Sequence, residues 1–165
     1  MKTILLLRHA KSSWKDATLS DHERPLNKRG RRDAPRIGAL IEEQQLRPDL
    51  ILSSTAKRAL LTAEAVAEAC GGETTLAKQD ELYLAASATY IETARYLDDG
   101  FKRVLMVGHN PGISDLLHRL SSQDEIMPTA ALAQIELPIE RWSELSSQTT
   151  GKLIAFWRPR EIEIL

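Results

Sequence analysis

The sequence predicts an α/β sandwich built on a largely parallel sheet, and three observations carry that expectation. Three apolar runs, in Lys2–Lys11, Asp49–Ser54 and Arg103–His109, lack polar alternation, as strands buried on both faces do. Between them lie segments whose apolar residues recur at helical spacing. The first and third runs also end in residues suited to chemistry, Arg8-His9 and His109, and Arg58 follows closely on the second. Open α/β sheets bind ligands just beyond the carboxyl ends of their strands.

The first strand is the run Ile4–Leu7, which stops abruptly at Arg8 and His9. Ser12–Pro25 follows as a polar, charged loop, too long for a bare connection; long loops in compact domains are often functional. It closes in Arg24-Pro25-Leu26-Asn27. Asn27 is a plausible N-cap for a helix over Lys28–Gln45, in which Ile37, Leu40 and Ile41 give the helical period. Pro35 leaves two readings open, a helix that begins near Asp33 or one kinked at the proline. The second strand, Leu50–Leu52, leads into an alanine-rich helix over Ala56–Cys70, with Ala59, Leu60, Ala63, Val66 and Ala67 as its apolar stripe and Gly71-Gly72 as its stop. A short strand at Thr74–Ala77, the acidic turn Asp80-Glu81-Leu82-Tyr83, a helix over Ala88–Leu97 and a turn at Asp98-Asp99-Gly100 complete the middle. The third strong strand runs into His109-Asn110-Pro111-Gly112 and a helix over Ile113–Leu120. Leu132–Leu137 and Lys152–Trp157 alternate enough to be late strands.

At 165 residues, with no internal repeat, low-complexity tract or linker, residues 1–165 are expected to form one domain. The net charge of -1 gives no global signal for nucleic acid or membrane, so any basic site must be local. Cys70 is the only cysteine and has no partner for an internal disulfide, which suits a reducing compartment. The N-terminal apolar run is shorter than a signal peptide's core and lacks a small-residue cleavage site, and no segment reaches transmembrane length. A cytoplasmic location is expected.

Lys57 and Arg58 occupy the first turn of a helix, where unpaired N–H groups and the dipole disfavour cations. Either the pair is simply exposed, or an anion binds at the helix start. His109, at a strand end before Asn-Pro-Gly, stands in turn chemistry rather than in core. Arg24, held beside a proline in a loop that returns to the sheet's carboxyl edge, is a candidate phosphate contact. His118 reads as a mid-helix surface residue, His22 as an ordinary loop residue, and Trp14, Trp142 and Trp157 as buried residues or an interface. Arg8, His9, Arg58 and His109 together supply two guanidiniums and two imidazoles around one crevice. Arginine matches phosphate oxygens bidentately, and a neutral imidazole can attack phosphorus, with nearby cations holding its pKa down. Such a cationic cage can stabilise phosphoryl transfer without magnesium.

Competing chemistries lack their signatures. No GxxxxGK[ST] or GxGxxG occurs, Cys70 is not followed by an arginine at the spacing of a cysteine-dependent phosphatase, and the strands end in Arg, His and Ser rather than the clustered carboxylates of a binuclear metal site. No cofactor or metal is therefore expected.

Three ordered motifs, LRHAK at Leu7–Lys11, SSTAKRALLTA at Ser53–Ala63 and VGHNPG at Val107–Gly112, resemble the histidine phosphatase superfamily. The RPLNKRG segment (Arg24–Gly30), the small size and the GHNP form are similar to its compact branch, the SixA-type phosphohistidine phosphatases; Ala10 stands where many members have glycine. The resemblance implies a three-layer α/β/α sandwich of the phosphoglycerate mutase-like kind. It also implies His9 as phosphoryl-accepting nucleophile, with Arg8, Arg58 and His109 binding the phosphoryl group and Arg24 assisting. Relatives that cleave phosphomonoesters carry a glutamate in the region of Glu81, making Glu81 the candidate general acid; spacing does not separate it from Asp80, and the pair equally suits a solvated loop or cap. An imidazole leaving group needs less proton donation than an alkoxide. The expected activity is removal of phosphate from phosphohistidine on a protein, such as a histidine-phosphorylated signalling protein. The alternatives are a phosphatase of small phosphomonoesters or sugar phosphates, and a catalytically silent phosphate-binding or scaffold domain; a mutase fits less well, for want of a closing segment.

Overall fold

A computed structural model describes residues 1–162. Six strands form one sheet in the order β3-β2-β4-β1-β5-β6: β1 (Lys2–Arg8), β2 (Leu50–Ser54), β3 (Thr75–Gln79), β4 (Arg103–Gly108), β5 (Leu132–Leu137) and β6 (Lys152–Trp157). The first four run parallel, and β5 and β6 add an antiparallel edge. The helices are α1 (Lys28–Glu43), α2 (Lys57–Ala69), α3 (Ser87–Arg95) and α4 (Gly112–Ser121). No described helix is long and apolar enough to cross a membrane.

The continuous apolar runs become the strands covered on both faces. In β1, Ile4 and Leu6 pack into the core shared with α3 and α4, whereas Leu5 and Leu7 enter the one shared with α1 and α2. The layers are therefore helix, sheet, helix. β3 and β6 are the edges and carry mostly half-exposed or exposed residues, which is why their apolar signal is weak. The β3 strand runs two residues beyond the expected Thr74–Ala77 to Gln79 because its pairing with β2 continues to Ser54.

The helix after Asn27 begins at Lys28, with the Asn27 side chain accepting the Gly30 N–H at 2.9 Å. Pro35 therefore lies inside α1, and a start near Asp33 is ruled out. α4 likewise begins at Gly112, which leaves Pro111 just outside it. Of the tryptophans, Trp142 is fully buried and its indole N–H donates to the Phe101 carbonyl at 2.7 Å. Trp14 is 73% exposed.

Two adjacent parallel strands, β1 and β4, send their chains to opposite faces, β1 toward α1 and β4 toward α4. A crevice opens between such strands at their carboxyl ends, the usual ligand position in this class of sheet.

Candidate active site

The register of β1 and β4 pairs Arg8 with Gly108, and the ladder continues one step further, with the His9 N–H donating to the Gly108 carbonyl at 3.0 Å. His9 and His109 thus stand side by side over the crevice, their ring centroids 5.1 Å apart. Gly108 is required here: a methyl group on it would run into the Tyr90 hydroxyl, which accepts the His109 N–H at 3.1 Å.

His9 is 7% exposed and its Nδ1 lies 2.7 Å from the Ala10 carbonyl oxygen. A carbonyl only accepts, so Nδ1 holds the proton and Nε2 of the neutral ring carries a free lone pair. The loop supplying that carbonyl is itself fixed, since the Ala10 N–H donates to Thr62 Oγ1 at 3.0 Å and that hydroxyl donates to the Arg58 carbonyl at 2.7 Å. α1 closes against the same loop; a side chain at Gly30 would collide with the Lys11 carbonyl.

His109 Nε2 lies 2.7 Å from Ser54 Oγ at the end of β2. When that hydroxyl donates, the His109 proton resides on Nδ1, a buried atom with no partner among the described residues. Arg8 Nε and Arg58 Nε are buried and unpartnered in the same way. Leaving one buried donor unsatisfied costs about 1–3 kcal/mol, and three such donors flank the histidine pair. Their chemistry fits the oxygens of a phosphoryl group.

Both cation side chains are oriented from outside the crevice. Arg8 Nη1 donates to the Met127 carbonyl at 3.2 Å. Arg58, buried in the first turn of α2, donates to the Asp21 carbonyl at 2.7 Å and to its Oδ2 at 3.0 Å. Arg24 is also buried, donating to Ser12 Oγ at 2.9 Å and to Asp21 Oδ1 at 3.2 Å, and its guanidinium stacks 3.4 Å from the centre of the Trp14 ring. That stacking accounts for the exposed tryptophan. Asp21 therefore gathers Arg24, Arg58 and the Tyr83 hydroxyl, the last at 2.5 Å, and these contacts hold its carboxyl down to about 2, Tyr83 contributing most.

Burial pushes the His9 pKa down to about 4; Arg58, Arg8 and Arg24 add to the fall, and the Ala10 hydrogen bond opposes it. His109 falls to about 3, through burial first and then His9 and Arg58. The neutral form exists above the pKa, so a lowered value keeps the His9 lone pair free from near pH 4 upward and loses it as the pH falls through that value. Ring-nitrogen NMR titration is expected to show both imidazoles neutral at pH 5.5. An inflection near 6.5 for His9 would contradict a desolvated, cation-flanked ring.

The structure brings together Arg8, His9, Arg58 and His109, and joins Arg24 to them through Asp21. It does not bring Glu81 or Asp80 to the pair by any hydrogen bond or ion pair among the described residues. Both are exposed, and Glu81 lines an outer groove of about 710 Å3 against α3. The residue of that turn that reaches the histidine pair is Tyr83, whose ring packs edge-on to His109 at 5.6 Å and to His22 at 4.7 Å. His22, read from the sequence as an ordinary loop residue, bonds Thr55 at 3.0 Å on the crevice rim. Asp21, Ser54, Thr62 and Tyr83 escaped the sequence reading as site residues. The only local hint was an aspartate three residues before Arg24 in a loop already suspected of function. Among the described residues, no group of three or more His, Cys, Asp or Glu side chains is placed to hold a metal ion.

A family model, the histidine phosphatase superfamily (branch 1), matches residues 4–83. The crystal structure assigned to phosphohistidine phosphatase SixA of Agrobacterium tumefaciens superposes with a TM-score of 0.82 at 32% identity, over 96% of this chain and 98% of that one. The chain belongs to the histidine phosphatase superfamily. The family and the Agrobacterium tumefaciens structure support a phosphatase, and the three motifs of the strand ends are the ones gathered at the crevice. An uncharacterized protein of Mycobacterium tuberculosis (strain ATCC 25618 / H37Rv) is 32% identical over 165 residues, covering 93% of this histidine phosphatase and all of the relative. The fold alone is shared at 21% identity and a TM-score of 0.82 with the protein histidine phosphatase SixA complexed with tungstate, over 98% of this chain and 99% of that one.

Proposed function

We propose that the protein removes phosphate from phosphohistidine on a protein partner through a phosphorylated His9. The observation that carries this reading is that no carboxylic acid among the described residues stands free beside the histidine pair to protonate a leaving group. Asp21 is held as an anion by two arginines and a tyrosine, and Glu81 faces the outer groove. An alkoxide leaving group gains about 10²–10⁴-fold from a positioned acid, whereas a departing imidazole depends on it far less. The Agrobacterium tumefaciens relative, at 32% identity, is assigned as a phosphohistidine phosphatase, which supports the same substrate class.

In the first step the His9 Nε2 lone pair forms a bond to phosphorus as the substrate's P–N bond breaks, and the departing imidazole keeps that electron pair and takes a proton from water. Arg8, Arg58 and the His109 Nδ1–H hold the phosphoryl oxygens as negative charge accumulates. Water then attacks phospho-His9, the second P–N bond breaks with its electron pair returning to Nε2, and phosphate leaves with the attacking water's protons, one of which neutralises the hydroxide left by the first step.

Turnover with EDTA present, of a phosphohistidine peptide beside a phosphoserine peptide and a sugar phosphate, tests the reading. Phosphate release mainly from phosphohistidine is expected. A preference for the esters would move the assignment to small phosphomonoesters, and phosphate binding without any turnover would indicate a silent domain.

A further inference from the structure

With 22 Lys and Arg against 23 Asp and Glu, any excess of positive charge in this chain is local. One such excess adjoins the histidine pair. A cleft of about 390 Å3 is lined by Arg29, Arg32 and Arg36 of α1, by Thr129 before β5, and by Arg158 and Arg160 after β6. Its single acidic lining residue among the described residues, Asp33, is buried and pairs with Arg32 at 3.3 Å, Arg36 at 3.4 Å and Arg29 at 3.9 Å. One carboxylate thus fans out three guanidiniums, more than its own charge neutralises. Arg36 is further tied to the Ile162 carbonyl, and Arg158 to Glu125 and Glu161. The cations left over are Arg29 and Arg32, whose side chains are 57% and 61% exposed, and Arg160, which is exposed and has no acidic partner among the described residues.

The position of the cleft follows from the topology. β5 runs antiparallel to β1 and β6 antiparallel to β5, so the start of α1, the approach to β5 and the exit from β6 all meet at the carboxyl edge of β1. Thr129 lines the cleft and accepts from Arg29 at 3.3 Å. The N–H of the next residue, Ala130, reaches the Arg8 and His9 carbonyls at 3.0 and 3.1 Å. The cleft and the nucleophile thus share a wall.

We propose that this cleft docks acidic side chains of the same protein partner that presents the phosphohistidine. The inference rests on the substrate reading above. Arginine forks match carboxylates bidentately. The cations line a trench beside the phosphoryl crevice rather than within it, so a group bound there must be joined to the phosphoryl group by a length of chain, and an acidic protein surface provides both. Exposed charges of this kind act on capture and are screened by salt. Their contribution therefore enters KM rather than kcat.

The test uses phosphohistidine peptides of one length whose flanks carry three glutamates, three glutamines or three lysines, with the full-length enzyme and its Arg32→Gln/Arg160→Gln variant. The wild-type enzyme is expected to show a KM about tenfold lower for the acidic than for the neutral peptide, as two exposed ion pairs supply. The variant and 0.5 M salt are expected to erase that preference, with kcat and the melting temperature unchanged. Equal KM values across the three peptides, or a preference that survives in the variant, would overturn docking. So would inhibition of the wild type by inorganic pyrophosphate that the variant relieves, since it marks a small-anion site. If none of the peptides turns over while the sugar phosphate does, the substrate reading falls, and docking with it.

Discussion

His9→Ala is expected to lower phosphohistidine turnover by roughly 10⁴-fold or more, the scale seen when a covalent nucleophile is removed. The reason is specific to one atom. In the folded protein Nδ1 is committed to the Ala10 carbonyl, and only Nε2 has an available electron pair. His9→Asn separates the two nitrogens: its amide can still donate to the Ala10 carbonyl but offers nothing at the Nε2 position. If His9 is the nucleophile, the asparagine variant is as inactive as the alanine variant while melting closer to the wild type. Rapid quenching with ³²P-labelled substrate provides the second readout. Wild-type protein should carry an acid-labile, base-stable label on His9, and neither variant should. Turnover persisting in His9→Asn would eliminate the covalent route.

Arg58→Ala is expected to cost about 10²–10³-fold in kcat/KM, the usual loss when one donor to a developing oxyanion is removed. Two effects combine. The variant loses a buried guanidinium whose Nε has no partner among the described residues, and it relieves the charge that helps to depress both histidines. The His9 pKa should therefore rise from about 4, moving the acid limb of kcat/KM upward in pH. Arg58→Lys keeps the charge but not the planar fork, so it should restore the pH profile more completely than the rate. Stability should change little, because Asp21 is 43% exposed on its side chain and keeps Arg24 and Tyr83 as partners. An Arg58→Ala protein with wild-type kcat/KM would show that phosphate is bound elsewhere.

The parts of this site that could be read from the sequence are those in which local burial and chemistry coincide. A run of aliphatics too continuous for a surface strand, ending in Arg-His or Gly-His, marks a strand end whether or not its neighbours are known. Arg58 was visible because a cation in a helix's first turn contradicts the dipole. Asp21, Tyr83 and Ser54 carry no such local contradiction. Their meaning lies in partners 37, 62 and 55 residues away, and only the folded sheet brings those together. Glu81 illustrates the reverse case: a plausible residue in a plausible turn, which the one-turn helix at Asp80–Leu82 leaves exposed while Tyr83 reaches the histidine pair. Pro35 was ambiguous because propensity argues against an interior proline, whereas the Asn27 cap and the packing of Ile37, Leu40 and Ile41 keep the helix intact across it.

The in-register pairing of Arg8 with Gly108 makes the separation of the two imidazoles a property of the main chain. Neighbouring strands lie about 4.8 Å apart in any sheet, and the rings follow that spacing at 5.1 Å. The spacing of the two rings is therefore inherited from the peptide ladder rather than negotiated among side chains, and aliphatic residues beneath it are free to drift so long as the ladder stands. A structural relative at 21% identity that retains the fold is what such freedom permits. The same arrangement leaves no graded route to failure: parting β1 from β4 dismantles the histidine pair in the same event, so loss of the site and loss of the sheet's centre should coincide.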